Sequence, residues 1–178
     1  DRVIAMSNTT LAGHAFTFPT ITASCFSRGC IEKGKMLQQK GSDHHYTTIS
    51  IASMANLIDS FAAMEECVYN KHYLSMDDLL HLMDTNFEGQ ENMRQLLINK
   101  APQFGNNIEQ ADKYGEWFVE TMDRSIKRYK DAHGGQWTSL HATVVYNVAM
   151  GKTVGAMPDG RLAFSPLADN ASPMIGMD

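Results

Sequence analysis

The run from His141 to Val148 is the feature that most limits what this chain can build. It is rich in β-branched residues and reads as a strand buried on both faces. A lone strand cannot satisfy its own backbone groups. Few partners are on offer: Tyr46 to Ile51 is a second β-branched run and predicts a short strand. Residues 1–24 alternate small, polar and apolar types around Gly13 and Pro19, and predict loop with short extended pieces. The strong strand must therefore share a sheet with other chain, which places the segment in a larger α/β fold that is helix-rich.

Helices account for most of the remainder. Cys25 to Gln39 predicts a short helix interrupted by Gly29 and Gly34. Leu57, Phe61, Met64 and Val68 recur at helical spacing and predict a helix over about 53–70. Ser75 offers a capping oxygen to the next helix, with Asp77 and Asp78 at its positive end and Leu79, Leu82 and Met83 on its buried face. A helix carrying Met93, Leu96 and Leu97 is stopped by Pro102. The longest helix follows Asn106 and Asn107 and runs to about 132. Its stripe is Ala111, Gly115, Phe118, Met122, Ile126 and Tyr129, its first half is acidic and its second half basic, which complements the helix dipole. Pro158-Asp159-Gly160 predicts a turn, and the chain beyond it reads as irregular.

Composition restricts the function classes. The 178 residues are 43% hydrophobic and 20% charged, which is globular composition. A formal net charge of -5 without a basic stripe gives a nucleic-acid partner no electrostatic footprint. No apolar run approaches the roughly 20 residues that cross a bilayer, so no membrane partner is expected. Cys25, Cys30 and Cys67 are odd in number and lack a CxxC spacing, which favours reduced thiols and a cytoplasmic location. Asp43-His44-His45 is read as a surface turn rather than a metal site, because adjacent side chains on an extended segment point apart. The remaining histidines show no ligand spacing. Gly151-Lys152-Thr153 is not a phosphate loop, since Tyr146 stands where that motif needs glycine.

Five motifs, in order, carry a family resemblance. They are Cys30-Ile31-Glu32-Lys33-Gly34-Lys35, Asp59-Ser60-Phe61-Ala62-Ala63-Met64, Asn86-Phe87-Glu88-Gly89, Ala101-Pro102-Gln103-Phe104-Gly105-Asn106, and Gly155-Ala156-Met157-Pro158-Asp159-Gly160-Arg161 followed by Pro166-Leu167-Ala168-Asp169 and Ser172-Pro173. The chain resembles the pyruvate formate-lyase-like glycyl radical enzymes, in particular the dehydratase and decarboxylase branch. Two departures blur the branch: Lys40 to Tyr46 replaces a Gly-Gly-Ala turn, and Asn107 and Ile108 replace paired acids.

The resemblance implies that residues 1–178 are part of a single ten-stranded α/β barrel domain, with the catalytic cysteine loop upstream and the glycyl radical loop downstream. It implies a parent enzyme performing radical elimination, decarboxylation or C–C cleavage on a small organic substrate. Its radical is installed after translation by an S-adenosylmethionine/iron–sulfur activating enzyme, and no cofactor is expected on this segment. The expected partners are the remainder of the parent chain, the activating enzyme, a second copy in a homodimer and the substrate. The alternative is a truncated or split non-catalytic paralogue used for assembly.

Gly29-Cys30-Ile31-Glu32 matches the family's catalytic "GC.E" letter for letter, with Cys30 as thiyl carrier and Glu32 as base. Its register instead fits the family's later "DCIE.GK" element, so Cys30 is read as a buried structural thiol. By resemblance the strand from His141 belongs to the barrel wall beside the substrate. The substrate-facing candidates are Thr143, Val144, Val145, Tyr146 and Asn147, with the inward set left open between the two faces.

Overall fold

The computed structural model describes residues 2–142, 145–169, 171–174 and 176. In chain order the elements are α1 (Arg2–Thr17), α2 (Ile21–Cys25), α3 (Cys30–Lys33), a 3-10 turn (Leu37–Gln39), β1 (Tyr46–Ile51) and α4 (Met54–Ala63), which continues as a π-helix (Met64–Asn70). Then come α5 (Met76–Asp84), α6 (Glu91–Lys100), α7 (Glu109–Ile126), β2 (Gln136–His141) and α8 (Asn147–Gly151). The fold is α/β and dominated by helix. β1 and β2 form a two-stranded sheet, and the described residues contain no closed barrel. The chain divides into two compact units, Asp1–Ile49 with Met122–Leu140, and Ser50–Thr121 with His141–Asp178.

In the first unit the core is small: Ile4, Ile126 and Trp137, with Ile49, Met122 and Tyr129 packed against them. The stretch expected as loop over 1–24 carries, among its described residues, α1 and most of α2. The reason is local. Thr9, Thr10 and Thr17 turn their hydroxyls back onto the carbonyls four residues earlier, so these polar side chains do not compete with the helix. Ile4 is the one buried residue of α1, which leaves no apolar stripe in the sequence to read. Asn8 donates its carboxamide N–H to the Lys130 carbonyl (3.0 Å) and ties the helix down.

The long helix ends at Ile126 rather than near 132. Asp131, 5% exposed, stops any continuation: its Oδ1 accepts the N–H groups of His133 (2.8 Å) and Gly135 (2.7 Å). Its Oδ2 accepts the Thr47 hydroxyl (2.7 Å), and Lys130 pairs with Gln136 in an antiparallel bridge. Those bonds commit the chain to a turn into β2.

The second unit holds the larger core. Cys67, Val68, Leu74, Leu79, Leu82, Phe87 and Leu97 join the π-helix, α5 and α6. Met54, Ile58 and Ala62 of α4 meet Ala111 of α7, with Phe104, Tyr114 and Phe118 alongside. The helix predicted over 53–70 is present, though its deepest face is Ile58, Ala62 and Ala63, while Leu57, Phe61 and Met64 lie on its shoulder. Ser75 and Asp78 form the predicted N-terminal cap of α5 as a reciprocal box: the Ser75 hydroxyl accepts the Asp78 N–H, and the Asp78 carboxylate accepts the Ser75 N–H (2.9 Å).

The strand predicted over 141–148 is misplaced. The observed strand, β2, ends at His141, where the predicted one begins; Val145 and Tyr146 lie in a turn and Asn147 opens α8. Thr143 and Val144 fall outside the described residues. An apolar, β-branched run signals burial or extension without fixing its period, and here the adjacent Trp137, 1% exposed, anchors the real strand one run earlier.

Candidate functional site

Residues 155–169 of the second unit, which carry the last of the five motifs, are built around one arginine. Arg161 is 6% exposed. Its guanidinium donates from Nε to the Pro166 carbonyl (3.1 Å), from Nη1 to Gly155 (2.8 Å) and from Nη2 to Gly151 (3.0 Å) and Ser165. A rigid planar fork is the side chain suited to collecting several carbonyls at once. Burial pulls the Arg161 pKa down from its usual value, and the Asp159 charge opposes that.

The turn itself is closed by Gly160 N–H to the Met157 carbonyl (3.1 Å) and Met157 N–H to the Arg161 carbonyl (3.0 Å). Gly160 has φ 84, and a Cβ there would lie 2.7 Å from Ile98 Cγ1, so both conformation and space require glycine. Asp159 uses Oδ1 to accept the Arg161 N–H (3.0 Å) and Oδ2 to accept the Asn56 Nδ2 (2.7 Å). Arg94 of α6 donates Nη1 to the Gly160 carbonyl (3.1 Å) while its other nitrogens hold Glu91. Asn86, whose φ is 51, accepts the Ala163 N–H (2.7 Å). Asn56, Asn86 and Arg94, far apart in sequence, thus converge on one loop, and Asn86 belongs to one of the earlier motifs.

Beside this loop lies a cavity of about 220 Å³, mostly apolar, walled by Leu97, Ile98 and Met174 and by the polar Asn56, Asp59 and Asp159. Asp59, 5% exposed, accepts the Phe104 N–H (2.8 Å). Burial raises its pKa to about 7; the Phe104 hydrogen bond opposes that shift and the negative Asp159 adds to it. Burial likewise pushes Asp159 upward, against the hydrogen bonds from Asn56 and Arg161. A carboxyl poised near neutrality can give or take a proton at ordinary pH.

The sequence-derived candidates are placed as follows. Cys30 is 3% exposed and faces inward, so that a Cβ on Gly41 would lie 2.9 Å from its sulfur; Glu32, two residues on, is exposed. The four-residue α3 does not bring the thiol and the carboxylate to one face. Val145 (89% exposed) and Tyr146 (67%) are open, and Asn147 is half-buried. Asn147 donates Nδ2 to the Leu167 carbonyl (3.1 Å), and its own carbonyl accepts the Leu167 N–H (3.2 Å). Cys30 and Glu32 belong to the first unit, Val145 to Asn147 to the second. No group of three or more His, Cys, Asp or Glu suited to a metal occurs among the described residues.

Asn56 was not visible as a site residue in the sequence. The available signal was a carboxamide set into the alanine-rich inner face of α4, where apolar packing has no use for it. Arg94 carried no signal, because a lone arginine on an amphipathic helix reads as solvated.

The pattern of the pyruvate formate lyase-like family matches residues 1–151. The chain belongs to that family. Among curated relatives, the trans-4-hydroxy-L-proline dehydratase of Clostridioides difficile is 31% identical over 149 residues, covering 84% of this chain and 19% of the relative. The isethionate sulfite-lyase of Bilophila wadsworthia is 36% identical over 125 residues, covering 70% of this chain and 15% of its own length. Among solved structures, a glycyl radical enzyme from Archaeoglobus fulgidus superimposes with a TM-score of 0.87 at 30% identity, covering 99% of this chain and 22% of that one. The glycerol-bound glycerol dehydratase of Clostridium butyricum gives 0.86 at 31% identity over 96% of this chain and 22% of that one. The chain therefore spans about a fifth of the length of the family members it matches.

Proposed function

We propose that this chain is an internal stretch of a glycyl radical enzyme that performs radical elimination, decarboxylation or C–C cleavage on a small organic substrate. The observation that carries the reading is the family match along 1–151, supported by the ordered motifs, of which Asn86-Phe87-Glu88-Gly89 is bonded to the Arg161 loop. Residues 1–178 then form part of one ten-stranded α/β barrel domain, completed by the rest of the parent chain. The catalytic cysteine loop lies upstream and the glycyl radical loop downstream. The parent is a cytoplasmic homodimer, activated by a separate S-adenosylmethionine/iron–sulfur enzyme. The glycyl radical supplies the one-electron chemistry.

On this reading the contribution of the described residues is structural. The 145–147 segment, with Thr143 and Val144, borders the substrate, and the Arg161 fork holds it by gripping both ends of the following loop. Cys30 is a packing thiol. Small hydroxylated or sulfonated organic acids and polyols are the substrate class, by analogy with the dehydratases and the sulfite-lyase named above.

The test is anaerobic activation of the full-length parent by a radical-generating S-adenosylmethionine enzyme, read by electron paramagnetic resonance. A doublet glycyl signal is expected from the parent and none from this chain alone. A signal arising in this chain, or none in the activated parent, would sink the reading; the second outcome would favour a non-catalytic assembly module.

A further inference from the structure

The buried carboxamide of Asn56 ties α4 to the loop behind the candidate substrate wall, beside a second bond from the Ser53 hydroxyl at the start of α4 to the Ala168 carbonyl (3.3 Å). Asn56 is fully buried. Its Oδ1 accepts the Ala168 N–H (2.7 Å) and its Nδ2 donates to Asp159 Oδ2 (2.7 Å). The opposite carboxamide orientation would face donor with donor and acceptor with acceptor, so these two partners fix which atom is which. Ala168 is the neighbour of Leu167, and Leu167 is hydrogen-bonded in both directions to Asn147, the first residue of α8. The last residue of α8, Gly151, gives its carbonyl to Arg161, whose N–H is in turn held by Asp159. Both ends of α8 are therefore bonded to residues close in sequence to the two that Asn56 holds: Leu167, one residue from Ala168, and Arg161, two residues from Asp159.

We propose that Asn56 is a positioning residue for the 145–147 segment. By holding Asp159 and Ala168 at once, it sets the place of Asn147 and Tyr146 relative to α4. This rests on the reading above that the segment borders the substrate. The bonding network is specific to a carboxamide: the group must donate on one side and accept on the other, at 2.7 Å in both directions. A carboxyl group has the same shape and can do both only while protonated. Once ionised it is an acceptor alone and faces Asp159 directly. The other charged groups around it are Asp59 on α4, Arg94 on α6 and Arg161 in the loop. Both arginines are already committed, to Glu91 with the Gly160 carbonyl and to four loop carbonyls. Asn56→Asp should therefore act as a proton-controlled version of the wild-type contact.

Amide hydrogen exchange of the full-length protein, read by mass spectrometry, tests this without any substrate. At pH 8, Asn56→Asp should exchange about tenfold faster than wild type, at the same pH, in peptides covering 145–151 and 165–169, as expected for one lost buried hydrogen bond. Peptides of α5 (76–84) should not change, and at pH 6 the variant should return toward wild type. Asn147→Ala, which leaves the buried face of α4 intact, should loosen 145–151 at both pH values and serves if Asn56→Asp does not fold.

The kinetic arm uses the activated parent with trans-4-hydroxy-L-proline, glycerol and isethionate as probes. Asn56→Asp should lower kcat on the order of 10²-fold at pH 8, recovering at pH 6, with unchanged glycyl radical content. Unaltered exchange at 145–151, or an equal increase throughout α5, would overturn the positioning role, as would a kcat defect that ignores pH. Wild-type turnover of none of the probes would count against the substrate-wall reading, while the exchange measurement would still decide the role of Asn56.

Discussion

Asp59 and Arg161 show what one buried charge demands of its surroundings. The folded Asp59 carboxyl titrates at about 7, above the ordinary value of 3.8 that the unfolded chain restores. Between those two pH values the folded state holds a proton that the unfolded state has released, so stability falls as pH rises, and above about 7 the whole penalty is present. Asp59→Asn keeps an oxygen for the Phe104 N–H and removes the charge. The variant should lack this slope and exceed wild type by roughly 4 kcal/mol at pH 8, with little difference at pH 4. Chemical denaturation across that range checks it. Arg161→Lys keeps the charge but loses the fork that spans four carbonyls. A destabilisation of about 3 kcal/mol is expected, because buried acceptors are left without donors. An unchanged melting temperature would show that the fork is dispensable.

At the scale of elements, helices with strong local signals stand where the sequence puts them. Ser75, Asp77 and Asp78 begin α5, and the hydroxyl and carboxylate of the first and third close a reciprocal cap. Ser75→Ala removes an acceptor for the Asp78 N–H and a donor to the Asp78 carboxylate and should cost about 1 kcal/mol, measured by thermal unfolding; Ser75→Thr, which keeps the hydroxyl, should restore most of it. The stripe of α7 turns inward as its spacing requires, with Ala111 at 0% and Ile126 at 4% exposure and Phe118 and Met122 half-buried. The errors lie where local signals are weak. α1 has one buried residue and no stripe, and β2 ends where a stronger-looking run begins, of which the described Val145 and Tyr146 lie in a turn and Asn147 opens α8.

Across the whole molecule, large apolar side chains remain open: Phe16, Phe18 and Phe26 in the first unit, Val145, Tyr146 and Phe164 in the second. The only sheet among the described residues has two strands, so each strand has an edge without a ladder partner in that sheet. Exposed apolar surface and open edges favour self-association. The chain by itself should bind a hydrophobic dye and scatter light at micromolar concentration. A monodisperse, dye-silent monomer that melts cooperatively would instead mark an autonomous domain and favour the non-catalytic reading.

By itself the sequence determined the short-range features. These include the capped helix at Ser75, the amphipathic stripe of α7, the strand at Tyr46, the turn at Pro158 and the family to which the ordered motifs belong. Each rests on interactions within a few residues, or on a string of letters, and both are present before folding. Only the tertiary structure decided the rest. The Asn56 carboxamide meets Asp159 and Ala168 across more than a hundred residues of chain, and Asp131 meets Thr47 across 84. Such pairs have no period and no spacing; they exist because a buried polar group must find its partners inside the protein once water is excluded. That is why Asn56 reads as an interruption in an apolar face, although in the folded chain it helps join α4 to the Arg161 loop.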